Sequence, residues 1–540
     1  MEQPGKLTFK TKVGYGIGDW GGNLFFTIIG FWLMNYLTDE VGLSAAYAGI
    51  ALMIGRICDA FFDPVIGTLS DRTNSRWGRR RSWMLFASFP LFVAIFFLFR
   101  NPGIASQQGL FIWAAVVYSL ACIFYACVNI PYNALTPELT KNFHEKTTLN
   151  GYRMTFAVVG TLTGAGLALP LINGFSNKTT GYMVMGLVFG LVILITALIP
   201  VITVKEPHVD ISRNKESVFR QYLDAFRNKP FLTILIPWSV NIAGVTIVQA
   251  SMIYYFKYVL FKEANMTLAL VIMLVTSMIF IPVCVKVSKY IGKSKTYIIG
   301  IIIICCTILT IFLCGHKLSI QMIYLLMLLT GLGFSAHYVM PWAMVPDTIE
   351  YDYLKSGVRR EGIYYSLWVF TIKLGQAFAN LCVGLILGWF GYIADPGAII
   401  QKNTTTAINQ SAVLVYDNNS LSVFPGKEQS KSVALLERDS RNKSMFYITP
   451  IQGNKDVKVN NIIIDKKTSL KNRDRINYKA SDILFKSEQS PKAILGIRLL
   501  IGPFTLIFYL IGVIVLAFYP INKKMYEEIQ RQIKLKEDNI

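Results

Sequence analysis

Gly55-Arg56-Ile57-Cys58-Asp59-Ala60-Phe61-Phe62-Asp63-Pro64 lies inside a run, from about Ala45 to Ser70, that is otherwise apolar enough to cross a bilayer as a helix. On a helix Arg56, Asp59 and Asp63 fall at i, i+3 and i+7, on one face. A charge at mid-membrane costs at least about 2.5 kcal/mol, so such residues usually face a bundle interior or a wet cavity and mark an ion or substrate path. The bland alternative is that Arg56 neutralises a structural carboxylate pair. One arginine does not cancel two acids, and the leftover charge points to a purpose.

The rest of the chain fits that setting. Of its 540 residues 53% are hydrophobic and 16% charged, and the mean hydropathy is +0.45. Apolar windows of about 20 residues recur through most of the length, which predicts a polytopic, all-α membrane protein. The formal charge of +21 does not make it a nucleic-acid binder, because the basic residues lie in connections between apolar runs, where positive loops fix orientation. Cys58, Cys122, Cys127, Cys284, Cys305, Cys306, Cys314 and Cys382 all fall within or beside apolar runs, so neither a disulfide framework nor a metal cluster is expected. The opening Met1-Glu2-Gln3-Pro4-Gly5-Lys6 lacks the apolar core and cleavage site of a signal peptide, and the first span is expected to stay in place. HExxH, GxSxG and GxxxxGK[ST] patterns are absent, so neither an enzyme, an ATP-driven pump nor a resident cofactor is expected.

Twelve spans are predicted, near 12–38, 45–70, 82–100, 107–137, 149–174, 180–204, 229–260, 266–288, 295–315, 319–346, 361–393 and 494–520. They divide the chain into a six-helix bundle (1–204), a linker (205–228), helices 7–11 of a second bundle (229–393), a polar insert (394–493), helix 12 (494–520) and a tail (521–540). Lys6, Lys10 and Lys12 precede span 1, Arg72, Arg76, Arg79, Arg80 and Arg81 follow span 2, and Arg359 and Arg360 follow span 10, whereas the alternate connections are poorer in basic residues. Both termini are therefore expected in the cytoplasm and the insert on the opposite side. The insert, rich in Asn, Lys and Ser with scattered β-type runs such as Val459 to Ile464, reads as a poorly packed segment without a closed core. Its Asn-x-Ser/Thr sequences at Asn403, Asn409, Asn418 and Asn442 matter only in a eukaryote.

Gly14, Gly18 and Gly22 in span 1, and Gly160 and Gly164 in span 5, are ridges that let helices approach closely. Asp19 and Asn23 lie near the first ridge and are binding-site candidates; the alternative is that Asp19 pairs with a basic residue on a neighbouring helix. Ile130-Pro131-Tyr132-Asn133-Ala134-Leu135-Thr136-Pro137-Glu138 and Met340-Pro341-Trp342-Ala343-Met344-Val345-Pro346-Asp347 echo each other at the ends of spans 4 and 10, as the halves of a two-bundle transporter do.

Gly67-Thr68-Leu69-Ser70-Asp71-Arg72 followed by Arg76-Trp77-Gly78-Arg79-Arg80-Arg81 resembles the span 2 to span 3 signature of the major facilitator superfamily. With Arg56, Asp59, Asp63 and Pro64 upstream it resembles the glycoside-pentoside-hexuronide:cation symporter family. The resemblance runs on through Asn129-Ile130-Pro131, Pro346 to Tyr351, Gly357 to Tyr364 and Ser490 to Arg498. It implies the major facilitator fold, alternating access between two bundles, and a coupling cation, H+ or Na+, held by Asp59 and Asp63, with Lys373 as internal counter-ion. Two carboxylates a turn apart in low dielectric resist joint ionisation, so the pair holds a proton or recruits a small cation, and the two aspartates are metal ligands only under sodium coupling. The bland reading of Lys373 is a lysine snorkelling to an interface, and of Arg72, Arg79, Arg80 and Arg81 an anchor to anionic lipid. The resemblance implies instead that Asp71 and these arginines gate the bundles.

Where the family has acids that grip sugar hydroxyls this chain has Asn23 and Asn129, and Asn133 replaces an aromatic; Arg153 matches the sugar-side arginine. Phe62 and Ala126 replace oxygen donors near the cation pair, which favours proton over sodium. Tyr125, Tyr132, Tyr338, Trp342, Tyr364, Tyr365 and Trp368 offer stacking faces, most of them for packing alone, and His337 is read as a packing residue with proton relay as the sharper alternative. The reading is a monomeric symporter of the cell membrane, most simply a bacterial inner membrane, that takes up a sugar, glycoside or similar small polar solute. A lysophospholipid or other amphipathic solute is the rival substrate class, and a non-transporting membrane sensor the rival function.

Overall fold

In hydrocarbon a helix satisfies its own backbone polar groups, so the apolar runs have one local solution. The computed structural model describes residues 7–140, 143–204, 206, 225–357, 360–393 and 489–538, with eleven strands of the insert and their short flanks between 397 and 486. Lys6, Arg359, Asn403, Asn409, Asn418, Asn442 and most of the linker lie outside the described residues. The helices are α1 (Phe9–Gly16), α2 (Gly18–Ile28), α3 (Ala45–Arg72), α4 (Arg81–Leu98), α5 (Gln107–Leu139), α6 (Phe143–Asn173), α7 (Lys178–Thr203), α8 (Lys229–Tyr254), α9 (Met266–Ile291), α10 (Lys293–Cys314), α11 (Ile320–Ser356), α12 (Glu361–Trp389), α13 (Pro491–Leu499), α14 (Thr505–Ala517) and α15 (Lys523–Asp538). Ser44, Ser106, Asn177, Asn228, Ser319 and Ser490 cap helix starts with their side-chain oxygens.

Among the described residues eleven helical segments are long and apolar enough to cross a membrane. The first expected span differs in kind. From Phe9 to Glu40 the chain is helical in pieces, α1, α2 and two π segments, Ile29–Leu33 and Tyr36–Glu40. A third π segment, Tyr255–Val259, prolongs α8, and a fourth, Leu500–Phe504, separates α13 from α14. Helices α2 to α7 pack among themselves, as do α8 to α14. The halves meet where α3 lies on α12, α6 on α9, and Ile29–Leu33 on α8.

Two close approaches set this geometry. A Cβ on Gly164 would stand 2.8 Å from the Thr27 side chain, so the expected glycine ridge presses α6 onto α2. A Cβ on Gly49 would stand 2.8 Å from both the Asn380 carbonyl and Gly384 Cα, so α3 and α12 touch backbone to backbone across the halves.

The all-α expectation holds for the membrane part and fails for the insert. Its strands form two antiparallel sheets. One runs in the order Thr404–Ile408, Gly397–Gln401, Ser481–Lys486, Arg475–Tyr478, Val457–Val459, Ile462–Ile463; the other Ser420–Pro425, Ser411–Asp417, Ser432–Arg438, Phe446–Pro450, Thr468–Leu470. Leu414, Ala434, Leu436, Ile448, Val457 and Ile476 are buried together, which corrects the expectation of a segment without a closed core. Pairing across strands lets each short run contribute a few apolar side chains to a shared interior that no single run reveals. The insert leaves and rejoins the helices at one point, where the Ile393 amide donates to Gln489 Oε1 at 3.3 Å and Gln489 Nε2 donates back to the Ile393 carbonyl at 2.5 Å.

Gly384→Val is expected to destabilise the protein by about 1–3 kcal/mol, the usual range for overpacking, and to lower its thermal unfolding midpoint in detergent. An unchanged midpoint would mean that α3 and α12 do not touch there.

Candidate substrate and cation site

The contact between α3 and α12 aligns two polar faces. Arg56, Asp59 and Asp63 come from α3; Lys373, Gln376 and Asn380, with the same i, i+3, i+7 spacing, come from α12. Lys373 Nζ lies 2.9 Å from Asp59 Oδ1 and 2.5 Å from Asp63 Oδ2, and Arg56 Nη1 lies 3.6 Å from Asp59 Oδ2. Two cations meet two carboxylates, so the charge that Arg56 alone leaves over is balanced by a lysine from the other half. The match is electrostatic more than directional, since both Asp59 oxygens and Asp63 Oδ1 are buried without a hydrogen bond among the described residues. Such oxygens can take a proton or ligate a small cation in place of the ammonium.

Asp19 pairs with a basic residue on a neighbouring helix. Arg153 grips it with Nε at 2.5 Å from Oδ2 and Nη2 at 3.2 Å from Oδ1, a bidentate pair, and Tyr132 Oη donates to Oδ2 at 2.8 Å. Arg153 also donates to Thr136 Oγ1 at 3.0 Å and Asn133 Oδ1 at 2.5 Å, and Asn133 Nδ2 donates to Asn129 Oδ1 at 3.0 Å. Asp19, Asn129, Asn133 and Arg153 therefore form one network within the N-terminal half. Asn23 joins it by donating to the Asp19 carbonyl at 2.9 Å.

A cavity of about 510 Å³ lies between the halves. Of the expected cation and substrate residues, Asn23 and Arg56 line it; Asp59, Asp63, Lys373, Asp19, Asn129, Asn133, Arg153, Trp342 and Trp368 do not. Trp368 is fully buried, stacked on Trp238 with ring centroids 5.5 Å apart, while Trp342 is exposed and packs edge-on to Trp368 at 5.9 Å. Sequence reasoning missed Gln249, Gln376 and Asn380, which bring amide groups to the wall. Nothing marks a glutamine in an apolar run as more than a packing residue until a second helix brings others beside it. The wall from α9, α10 and α11 is mostly aliphatic, with Met273, Met278, Ile304, Ile308 and Met327.

The arginine loop behaves locally. Arg80 pairs with Asp71 at 3.0 Å and Glu138 at 2.9 Å, Arg79 with Glu138 at 2.6 Å and Glu206 at 3.7 Å, and Arg81 donates to the Val201 carbonyl, all within the N-terminal half. Arg72 is exposed at the end of α3. A second set of bonds crosses the halves at the opposite end, and the sequence reading did not find it. Asp39 accepts from Lys257 Nζ at 2.7 Å, Tyr258 Oη at 3.1 Å and Tyr392 Oη at 2.5 Å, while the Thr38 and Tyr254 hydroxyls meet at 2.7 Å. Burial, then the Asp39 carboxylate, push the Tyr392 hydroxyl pKa well above its ordinary value, so it stays a donor.

A family described as MFS/sugar transport protein matches residues 14–415. The uncharacterized symporter YnaJ of Bacillus subtilis is 30% identical over 449 residues, which cover 81% of this chain and 96% of that protein. The glucuronide carrier protein homolog of Escherichia coli is 29% identical over 447 residues, covering 81% and 97%. Each is matched almost end to end, and what is left uncovered here is about the size of the insert. The crystal structure of the nucleoside transporter NupG superposes with a TM-score of 0.52 at 13% identity, covering 72% of this chain and 92% of that one, a likeness of fold alone.

Lys373→Met should leave the two aspartates facing one arginine. Breaking a buried pair typically costs about 3–5 kcal/mol, so a marked loss of thermal stability in detergent is expected, and adding Asp63→Asn should recover most of it. Equal stability of Lys373→Met and the wild type would show that the ammonium does not hold the carboxylates.

Proposed function

The chain belongs to the MFS/sugar transport protein family, and on that premise we propose that it is a secondary active symporter coupling uptake of a sugar, glycoside or similar polar solute to a proton or sodium gradient. The observation that carries this reading is Lys373 of the C-terminal half seated between Asp59 and Asp63 of the N-terminal half. A cation binding the aspartates competes with the ammonium for the same oxygens, so its arrival loosens a tie between the halves. That makes cation occupancy and bundle movement one equilibrium. Protons are favoured over sodium. Protonation of one carboxylate needs no further ligand, whereas sodium needs several oxygens where Phe62 and Ala126 stand.

Positive loops put the arginine end and both termini in the cytoplasm and the insert outside. The bonds around Asp39 then close the outer side, and this conformation is the one open inward. In the outward-open state Asp39 parts from Lys257 and the arginine loop takes its place as the tie between halves. The membrane is the cell's outer boundary, the inner membrane in a Gram-negative bacterium, and the transporter works as a monomer. The relative described as a glucuronide carrier homolog makes sugars and glycosides the first solutes to try. The aliphatic wall of the cavity supports a second reading, an amphipathic solute such as a lysophospholipid.

The test is solute-induced alkalinisation in cells overexpressing the protein, screened over sugars, glycosides and hexuronates with and without sodium, followed by uptake into proteoliposomes under an imposed gradient. Asp59→Asn and Asp63→Asn are expected to lower accumulation at least tenfold. Accumulation undiminished with both neutralised would sink cation coupling at this pair. Inhibition by lysophospholipid with no response to any sugar would favour the second reading.

A further inference from the structure

His337 belongs neither to the Asp59–Asp63–Lys373 cluster nor to the Asp19–Arg153 network, yet it forms part of the cavity wall from α11. It is fully buried, with ring centroids of Trp238 at 5.1 Å, Phe334 at 5.3 Å and Tyr297 at 5.8 Å. Its Nδ1 lies 3.3 Å from Tyr297 Oη, and Tyr297 Oη accepts from Asn241 Nδ2 at 2.9 Å. A phenol that accepts from an amide still has its own proton to place, and Nδ1 is the acceptor within reach. The neutral imidazole then carries its proton on Nε2. Nε2 has no hydrogen-bond partner among the described residues and is closed off in this conformation, so a solute reaches it when the surrounding side chains of the cavity wall part. Three helices, α8, α10 and α11, thus fix the tautomer of a ring whose remaining N–H is left unsatisfied, which is unfavourable unless something brought into the cavity accepts it.

We propose that His337 is a substrate-binding residue of the C-terminal half, its Nε2–H donating to an acceptor oxygen of the carried solute. Resting on the transport reading, this narrows the solute class. Asn23 and Arg56 present polar groups from the N-terminal half and His337 from the C-terminal half, across a cavity larger than one hexose ring needs. The solute is a two-ring glycoside whose second ring bears the oxygen that His337 reaches and lies against the Phe334 and Tyr338 rings, which also line the cavity. A solute touching both halves suits alternating access, since its contacts differ in every arrangement of the bundles.

The experiment measures KM and maximal uptake rate in proteoliposomes for two probes, a disaccharide of the sugar that the alkalinisation screen returns and the methyl glycoside of that sugar. His337→Phe keeps a ring and removes the donor; His337→Gln keeps an N–H near the Nε2 position. His337→Phe is expected to raise KM for the disaccharide about tenfold and for the methyl glycoside less than twofold, with maximal rates within twofold of wild type, and His337→Gln to restore most of the affinity. A KM unchanged in His337→Phe, an equal rise for both probes, or a loss of rate alone would each overturn the assignment. Should His337→Phe fail to fold, Tyr297→Phe reads the same contact by freeing the tautomer: about a threefold rise in disaccharide KM supports the assignment and no rise overturns it. If the wild type transports neither probe in either gradient, the transport reading falls and this assignment with it, whereas wild-type transport with an indifferent His337→Phe removes only the latter.

Discussion

An ammonium held between two aspartates is the constraint around which the membrane part is built. Lys373 enters from one half and Asp59 and Asp63 from the other, and of the three Asp59 also has a counter-ion in its own half, Arg56 at 3.6 Å. Removing charges from water costs several kcal/mol per ion, and attraction in the interior repays this when the geometry is good and remaining lone pairs are satisfied. Here the distances are short but three carboxylate oxygens lack hydrogen bonds. The cluster therefore ties the halves while three of its carboxylate oxygens are left without hydrogen bonds among the described residues.

That incompleteness separates this cluster from the other charged groups in the membrane. The Asp19–Arg153 pair is bidentate, with Tyr132 and Thr136 taking further bonds, and it lies within one half. Movement of one bundle against the other leaves it intact, so it stiffens the N-terminal half and holds Asn129 and Asn133 in place. Asp39 crosses the halves as the Lys373 cluster does, but four hydroxyl or ammonium donors surround it: those of Thr38, Lys257, Tyr258 and Tyr392. A well-satisfied carboxylate of that kind suits a latch better than a binding site. The π segments Tyr36–Glu40 and Tyr255–Val259, which bring Asp39 and Lys257 together, are the irregular turns often found where a helix has a task besides spanning.

Much of this was legible in the sequence because a membrane imposes strong rules. Apolar runs gave most helices within a few residues, though α11 runs ten residues past its predicted end to Ser356 and α6 starts six residues early at Phe143, and the Arg56, Asp59, Asp63 spacing marked the face of α3 that meets Lys373. The first expected span was legible as a helical stretch but not as one broken by π turns, because the wider turns leave no mark in apolar periodicity. Asp19 carried two readings, and its partner Arg153 lies 134 residues away, a separation no local pattern resolves. Gln249, Gln376 and Asn380 were invisible for the same reason. The insert was misread most, since its Asn- and Lys-rich turns dominate the composition while Leu414, Leu436, Ile448 and Ile476, scattered over four strands, make the core.

The Asp39–Lys257 and Lys373 ties that cross the halves lie at different depths, and their chemistry differs in the way a coupled carrier needs. Asp39 and Lys257 sit at the end where the insert joins, with every donor in place. Lys373 and its aspartates sit where α3 meets α12, and of this cluster Arg56 forms part of the cavity wall. A cation that took the place of the ammonium between Asp59 and Asp63 would weaken the middle tie and leave the end tie to hold the halves. Loss of the middle ion pair lowers the barrier to rocking without opening the end against a gradient, because the end tie breaks only when new contacts form elsewhere. A ligand shifts such an equilibrium only by its differential affinity for the two arrangements. A solute bound by groups from both halves has that difference built in, and a cation that displaces Lys373 has it as well; the two act on one interface and so on one another.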